Sequence, residues 1–224
     1  MNLRQLLKYW LRRDTTFRGE FGAIESALPS DTSRLVVDVG ANDGFYGSNS
    51  FPFVARGWRA VMVEPDPRAY ARLERRFGNH PRVTCRNLAC GATHSTLPLR
   101  LGQDPSHSSL TASQGPSSLG AQTGETLEVR VVPLAALLHE LDIPPRYGVL
   151  SIDTEGHDFQ VLRGAGLAHH RPDVIFTETF GDDAEESAKR EFLRQSGYQL
   201  RAEVDTNSLW TPVPRDPRPT PGPA

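Results

Sequence analysis

The chain has 224 residues, 23% of them charged, with 25 Lys and Arg against 27 Asp and Glu and a formal net charge of −2. That balance supplies no broad basic field, which argues against nucleic acid as a partner. The chain shows neither a secretory apolar core nor a run of ~20 apolar residues able to cross a bilayer, so a cytoplasmic protein without stable membrane insertion is expected.

The length suits one α/β domain with a substantial core. Cys85 and Cys90 are the only cysteines, lack metal-knuckle spacing and read as reduced structural residues. Leu3, Leu6, Leu7, Trp10 and Leu11 recur at helical spacing, with Arg4, Lys8, Arg12 and Arg13 on another side, which predicts an amphipathic helix over 2–13. A second helix is expected over 17–28, stopped by Pro29. Residues 1–30 thus form an expected helical cap, ahead of a domain spanning 31–212.

The apolar stretch Leu35-Val-Val-Asp-Val39 reads as a strand buried on both faces, as in a parallel sheet. Gly40-Ala-Asn-Asp-Gly44 follows as a short polar turn, and open α/β sheets bind ligands at the carboxyl ends of their strands. Gly40 and Gly44 permit positive φ or close approach of a ligand, and Asp38 offers a carboxylate at the strand end. The glycines lack the G-x-G-x-x-G spacing that cradles a pyrophosphate. This counts against a nicotinamide-dependent oxidoreductase, the main competing reading, which shares the strand, the turn and a ribose-binding acid.

A short helix is expected from Ser50 to Gly57, then a second buried strand, Ala60-Val-Met-Val63, ending in Glu64. Glu64 lies about twenty residues past Gly44, where an acid on the next strand reaches ribose hydroxyls. Residues 66–77 read as a helix ending at Gly78, and 82–86 as a third strand. Asn87, Leu88 and Ala89 follow it, placed to wall the adenine of an adenosine cofactor. Strands are expected over 95–101 and 125–131. Between them, 102–124 is rich in serine, glycine and glutamine, and is either a substrate lid carrying His107, Ser108 and Ser109 or a segment without fixed structure.

Pro133 opens a short helix through Leu141. The stretch Val149 to Ala165 repeats the pattern of strand, acidic turn and helix, with Asp153 at the strand end. Asp173 to Glu178 is a further strand, 182–196 a charged surface helix, 198–212 a pair of closing antiparallel strands, and 213–224 a proline-rich extended tail.

Four segments in order, Asp38-Val-Gly-Ala-Asn-Asp-Gly44, Val63-Glu-Pro65, Ile152-Asp-Thr-Glu-Gly-His157 through Ala165, and Val174 to Glu178, together resemble the FkbM family of S-adenosylmethionine-dependent methyltransferases. The resemblance implies a Rossmann-like α/β domain with a mostly parallel central sheet, helices on both faces and an antiparallel closing strand. It implies S-adenosylmethionine held by Asp38, Gly40, Ala41, Asn42, Gly44, Glu64, Asn87, Leu88 and Asp153. The acceptor it implies is a hydroxyl of a sugar, polysaccharide precursor or glycosylated or polyketide metabolite.

An alcohol is a poor nucleophile until its proton is removed, so a base is required. His157 is suited to that role near neutral pH. Asp153 and Glu178, at adjacent strand ends, are the expected ligands of a Mg²⁺ ion that would polarise the hydroxyl. Glu155 and Asp158 read as helix N-terminal acids. A non-catalytic cofactor-binding module is the remaining alternative.

Overall fold

The computed structural model describes residues 15–16, 18–110, 121–179 and 183–214. The expected helix over 2–13, the centre of the 102–124 stretch and the tail from residue 215 lie outside the described residues.

The helix α1 (Glu20–Ala27) leads into β1 (Leu35–Val39), and the single-turn α2 (Phe51–Val54) connects it to β2 (Arg59–Val63). Then come α3 (Pro67–Phe77), β3 (Val83–Arg86), β4 (Ala89–Gly91), β5 (Ser95–Gly102), a 3₁₀ turn (Pro105–His107) and β6 (Gln122–Pro133). The chain continues through α4 (Leu134–Glu140), β7 (Arg146–Ile152), α5 (Asp158–Arg163), β8 (Arg171–Glu178), α6 (Asp183–Gln195), β9 (Tyr198–Val204) and β10 (Asn207–Pro212).

Seven strands form one sheet in the order β3-β2-β1-β7-β8-β10-β9. The pairs β3/β2, β2/β1, β1/β7 and β7/β8 are parallel, whereas β10 runs antiparallel to both of its neighbours. One reversed strand therefore closes the sheet, as expected. All five residues of β1 are buried, and side-chain alternation divides them between two cores. Leu35, Val37 and Val39 join Leu134, Leu137, Val161 and Leu193 on the face covered by α4, α5 and α6. Val36 instead joins Phe21, Ile24, Phe53, Leu73 and Phe77 on the face covered by α1, α2 and α3. Burying each such side chain fully contributes about 1.5–3 kcal/mol. Because both faces are covered, only the strand ends remain for polar chemistry.

A second, three-stranded sheet in the order β4-β6-β5 packs Ala89, Leu99, Leu101, Val129 and Val131 together. The three-residue β4 was not expected; it pairs with Val131–Pro133, a partner some forty residues on, about which its own short run carries no information. β6 begins at Gln122 rather than at 125, so part of the stretch read as a lid is strand. Pro52 at its start limits α2 to one turn, shorter than the helix expected over 50–57. Among the described residues, no helix is long and apolar enough to cross a membrane.

Candidate active site

The carboxyl ends of β1, β2 and β7 lie side by side, with Val39 in register with Val63 on one flank and Ile152 on the other. The turn after β1 is tied to both neighbours: Gly40 and Ala41 donate their N–H groups to Val63 O at 2.9 and 3.0 Å, and Asp153 N donates to Val39 O at 2.9 Å. Gly40 has φ +89°, and a Cβ there would stand 1.7 Å from Asp153 O. Only glycine fits this crossing. Asn42 takes φ 48°, a left-handed conformation that asparagine tolerates. Gly44, also left-handed, faces elsewhere: a Cβ there would meet Leu73 Cδ1 at 2.6 Å and Phe77 Cε2 at 2.8 Å. Gly44 thus serves packing of α3 and lines neither half of the crevice described below, in contrast to its expected cofactor contact.

Asp38 is 3% exposed and accepts a 2.5 Å hydrogen bond from Ser50 Oγ. Burial pushes its pKa up, and hydrogen bonds from Ser50 and Ser151 oppose the rise. Glu64 ends β2 with both oxygens engaged, accepting from Asn42 N and Asp66 N at 2.8 Å each. Each oxygen keeps a second lone pair for a ligand. Burial, augmented by nearby Asp66 and Asp38, pushes Glu64 to about 8.

The crevice above these ends has two halves. One is walled by Leu88, Ala89, Cys90, Leu99 and Leu110, and its polar rim includes Asn42, Glu64, Asp153 and Glu155. The other half is polar and brings together Asp38, Gly40, Ala41, Asn42, Ser48, Asn49, His107, Asp153 and Glu155. Asp38, Glu64 and Asp153 therefore converge, with Gly40 and Asp153 shared by both halves. Asn87 does not line it: the side chain is exposed, and its Nδ2 donates to Glu64 O at 2.8 Å and Pro65 O at 3.2 Å, fixing the turn behind the acid.

Part of the stretch read as a lid closes the apolar half, where Pro105, Ser106, Ser108 and Leu110 form one wall. Its anchor is Asp66, wholly buried, which caps α3 by accepting from Arg68 N and also accepts from Ser108 Oγ at 2.7 Å. Arg68 Nη2 pairs with Asp66 at 2.7 Å and donates to Gly102 O at 2.8 Å. Ser109 Oγ donates to Glu155 O at 2.7 Å, fastening the same segment to the turn after β7. Sequence reasoning missed this clasp, for which Asp66 before Pro67 is the only local signal.

After β7, Asp153 is open to the crevice, while Glu155 and Gly156 take positive φ of 54° and 95°. Enclosure by the protein and the charges of Asp158, Glu155, Asp38 and Glu64 push Asp153 well above the usual carboxylate range. Glu155 is raised to about 7 by burial and by Asp158. Asp158 is more than a helix N-terminal acid. Its Oδ1 accepts from Thr154 N and Thr154 Oγ1, and its Oδ2 from Thr177 Oγ1 and Glu178 N, so one buried carboxylate joins the ends of β7 and β8.

His157 lines the apolar half beside Leu88, Ala89 and Cys90. Its Nε2 is buried without a hydrogen-bond partner, and a Cβ on Gly91 would stand 3.2 Å from it. Burial lowers its pKa, favouring the neutral ring. Either tautomer therefore leaves a buried ring nitrogen unsatisfied. Glu178 lines neither half, has Oε2 buried without a partner, and is pushed to about 9 by burial and then by Asp153. Among the described residues no group of three or more His, Cys, Asp and Glu side chains is placed to hold a metal ion. Mg²⁺ is commonly held by one or two carboxylates with water completing its roughly six oxygens, but Glu178 lines neither half of the crevice, which leaves Asp153 as the one expected ligand facing it. These residues fit it poorly.

A glycine-crossed turn, an acid ending the next strand and an apolar wall above a parallel sheet with one reversed strand have the form of a Rossmann-like ligand-binding domain. The chain belongs to the FkbM methyltransferase family: the family model described as Methyltransferase FkbM domain matches residues 38–200. Among solved structures, the methyltransferase FkbM from Methylobacillus flagellatus KT is 20% identical with a TM-score of 0.51, over 80% of this chain and 43% of its own. This chain thus spans less than half of that structure's length. The O-methyltransferase from Bacillus cereus in complex with SAH is 12% identical with a TM-score of 0.46, over 87% of this chain and 78% of its own. A TehB-like SAM-dependent methyltransferase from Corynebacterium glutamicum is 11% identical with a TM-score of 0.45, over 94% of this chain and 96% of its own. No curated protein matches the chain.

Proposed function

We propose that the protein transfers a methyl group from S-adenosylmethionine to a hydroxyl of a sugar or sugar-bearing metabolite. The observation that carries this reading is the convergence of Asp38, Glu64 and Asp153 with Gly40 on one crevice at the carboxyl edge of the sheet. Glu64 holds the ribose hydroxyls, Leu88 and Ala89 cover the adenine, and Asp38 with the polar half receives the amino-acid end. Bound S-adenosylmethionine supplies a methyl on a sulfonium that departs as a neutral thioether.

The protein's work is then to orient the acceptor and take its proton. Asp153, shared by both halves, is the catalytic residue in this reading. Its raised pKa makes it a stronger base once ionised, and a cationic sulfonium beside it favours the ionised form. His157, on the adenine side with Nε2 sealed against Gly91, donates from Nδ1 to the adenine rather than serving as the base. In this reading no step needs Mg²⁺, since Glu178 lines neither half of the crevice that Asp153 faces.

Calorimetric titration with S-adenosylhomocysteine tests the cofactor site: wild type binds, and Asp38→Ala or Glu64→Ala weakens binding at least about tenfold, or 1.4 kcal/mol. A wild-type protein that binds nothing refutes the proposal. Steady-state kinetics separate the two roles. Asp153→Asn loses kcat while still binding cofactor; His157→Ala raises KM for S-adenosylmethionine and keeps kcat. Loss of kcat at unchanged KM in His157→Ala would return the base to that residue. Exhaustive chelation leaves the rate unchanged, and a rate restored only by Mg²⁺ would overturn the metal-free reading.

A further inference from the structure

Midway along α6, Lys189 is 2% exposed, on the same face as the wholly buried Leu193 four residues on. Lysine is almost never buried to this degree unless it is paired, because its ammonium must give up water. The ammonium of Lys189 donates to the Glu178 carbonyl at the end of β8 and pairs with Glu186, one turn earlier, at 2.7 Å. Its charge also reaches Asp158: burial raises the pKa of that carboxyl, and Lys189 is the foremost influence opposing the rise. We propose that Lys189 is a positioning residue, bracing Asp158 and the end of β8 and, through them, the turn that carries Asp153.

The proposal rests on the methyltransfer reading, with Asp153 as the base, and adds the part of the chain that holds that base in place. Asp158 is 3% exposed, and its carboxylate accepts from Thr154 N at 2.9 Å, Thr154 Oγ1 at 2.5 Å, Thr177 Oγ1 at 2.8 Å and Glu178 N at 3.1 Å. These donors fill the roughly four acceptor sites of an ionised carboxylate, and protonation would take one of them. A cation beside the group favours the ionised form.

Thr154 N belongs to the peptide bond that leaves Asp153. On the other side, Asp153 N donates to Val39 O at 2.9 Å. The backbone of Asp153 is thus pinned on both flanks, by the neighbouring strand and by Asp158. Lys189 steadies the second of these pins and, through the Glu178 carbonyl, the strand end beside it.

Pairing within the helix does not account for a lysine at this position. Glu186 already meets a second cation, Arg190 Nε at 2.7 Å, and Arg190 extends to Glu203 at 2.8 Å. Glu186 therefore does not require a buried ammonium. What burial of Lys189 adds is its hold on the ends of β7 and β8.

The test is amide hydrogen exchange of the full chain at neutral pH, read by NMR with and without S-adenosylhomocysteine. Lys189→Met keeps the apolar stem and removes the charge; it speeds exchange at Thr154 and Glu178 at least about tenfold and leaves Val37 and Leu150, inside the sheet, within about twofold of wild type. Lys189→Gln keeps a donor for the Glu178 carbonyl without the charge, and still speeds Thr154 at least about threefold. Glu186→Gln removes the helical partner and leaves Thr154 as it is in wild type. Unchanged exchange at Thr154 in the Lys189 variants, a rise spread evenly through the sheet, an equal effect of Glu186→Gln, or failure of both Lys189 variants to fold would each overturn the proposal. Failure of S-adenosylhomocysteine to bind the wild type would instead refute the methyltransfer reading on which it rests.

Discussion

Gly40 and Gly44 show how two residues of one type in one turn serve different ends. Both take left-handed φ, yet Gly40 abuts the backbone of Asp153 whereas Gly44 abuts the side chains of Leu73 and Phe77. Alanine at either position incurs about 1–3 kcal/mol of backbone strain. The consequences then diverge. Gly44→Ala lowers the thermal midpoint, by ~2–4 °C for each kcal/mol lost, but its folded fraction still binds S-adenosylhomocysteine. Gly40→Ala separates the β1 turn from Asp153 and loses that binding as well. Calorimetry with a parallel scanning melt distinguishes them; equal cofactor affinity in the two variants would contradict the assignment. The two glycines look alike in the sequence, because what differs is the neighbour each one meets.

Among the elements, β1, β2 and β7 were legible because their apolar runs end in acids, and a run covered on both faces leaves only its end for chemistry. Other parts of the site left no comparable trace. Asp158 has the signature of an ordinary first-turn acid, yet it gathers Thr154, Thr177 and the Glu178 N–H from two strand ends. Asparagine there would place a donor against donors. Asp158→Asn should therefore destabilise the protein by roughly 2–4 kcal/mol, since buried donors lose their acceptor. Urea unfolding checks this, and a loss below about 1 kcal/mol would show that the clasp contributes little. The three-residue β4 and the Asp66 anchor were invisible for the same reason as the bonds of Asp158: each is defined by a partner far along the chain.

For the molecule as a whole, gathering acids at one sheet edge ties stability to pH. Burial raises Glu64 from 4.5 to about 8 and Glu178 to about 9. A carboxyl whose pKa is higher folded than unfolded stabilises the fold fully below its unfolded value, and that contribution is lost as pH rises through the folded value. The cofactor-free protein should thus unfold at lower denaturant at pH 9 than at pH 5.5. Glu178→Gln, which cannot ionise, should show a smaller drop between the two; an equal or steeper drop would refute the assignment.

The segment from Gly102 to Leu110 is pinned at Gly102 by Arg68, at Ser108 by Asp66 and at Ser109 by the carbonyl of Glu155, and it forms one wall of the apolar half of the crevice. In the proposed function the nucleoside sits against this wall, and loosening the wall by breaking those bonds would speed the escape of the spent donor.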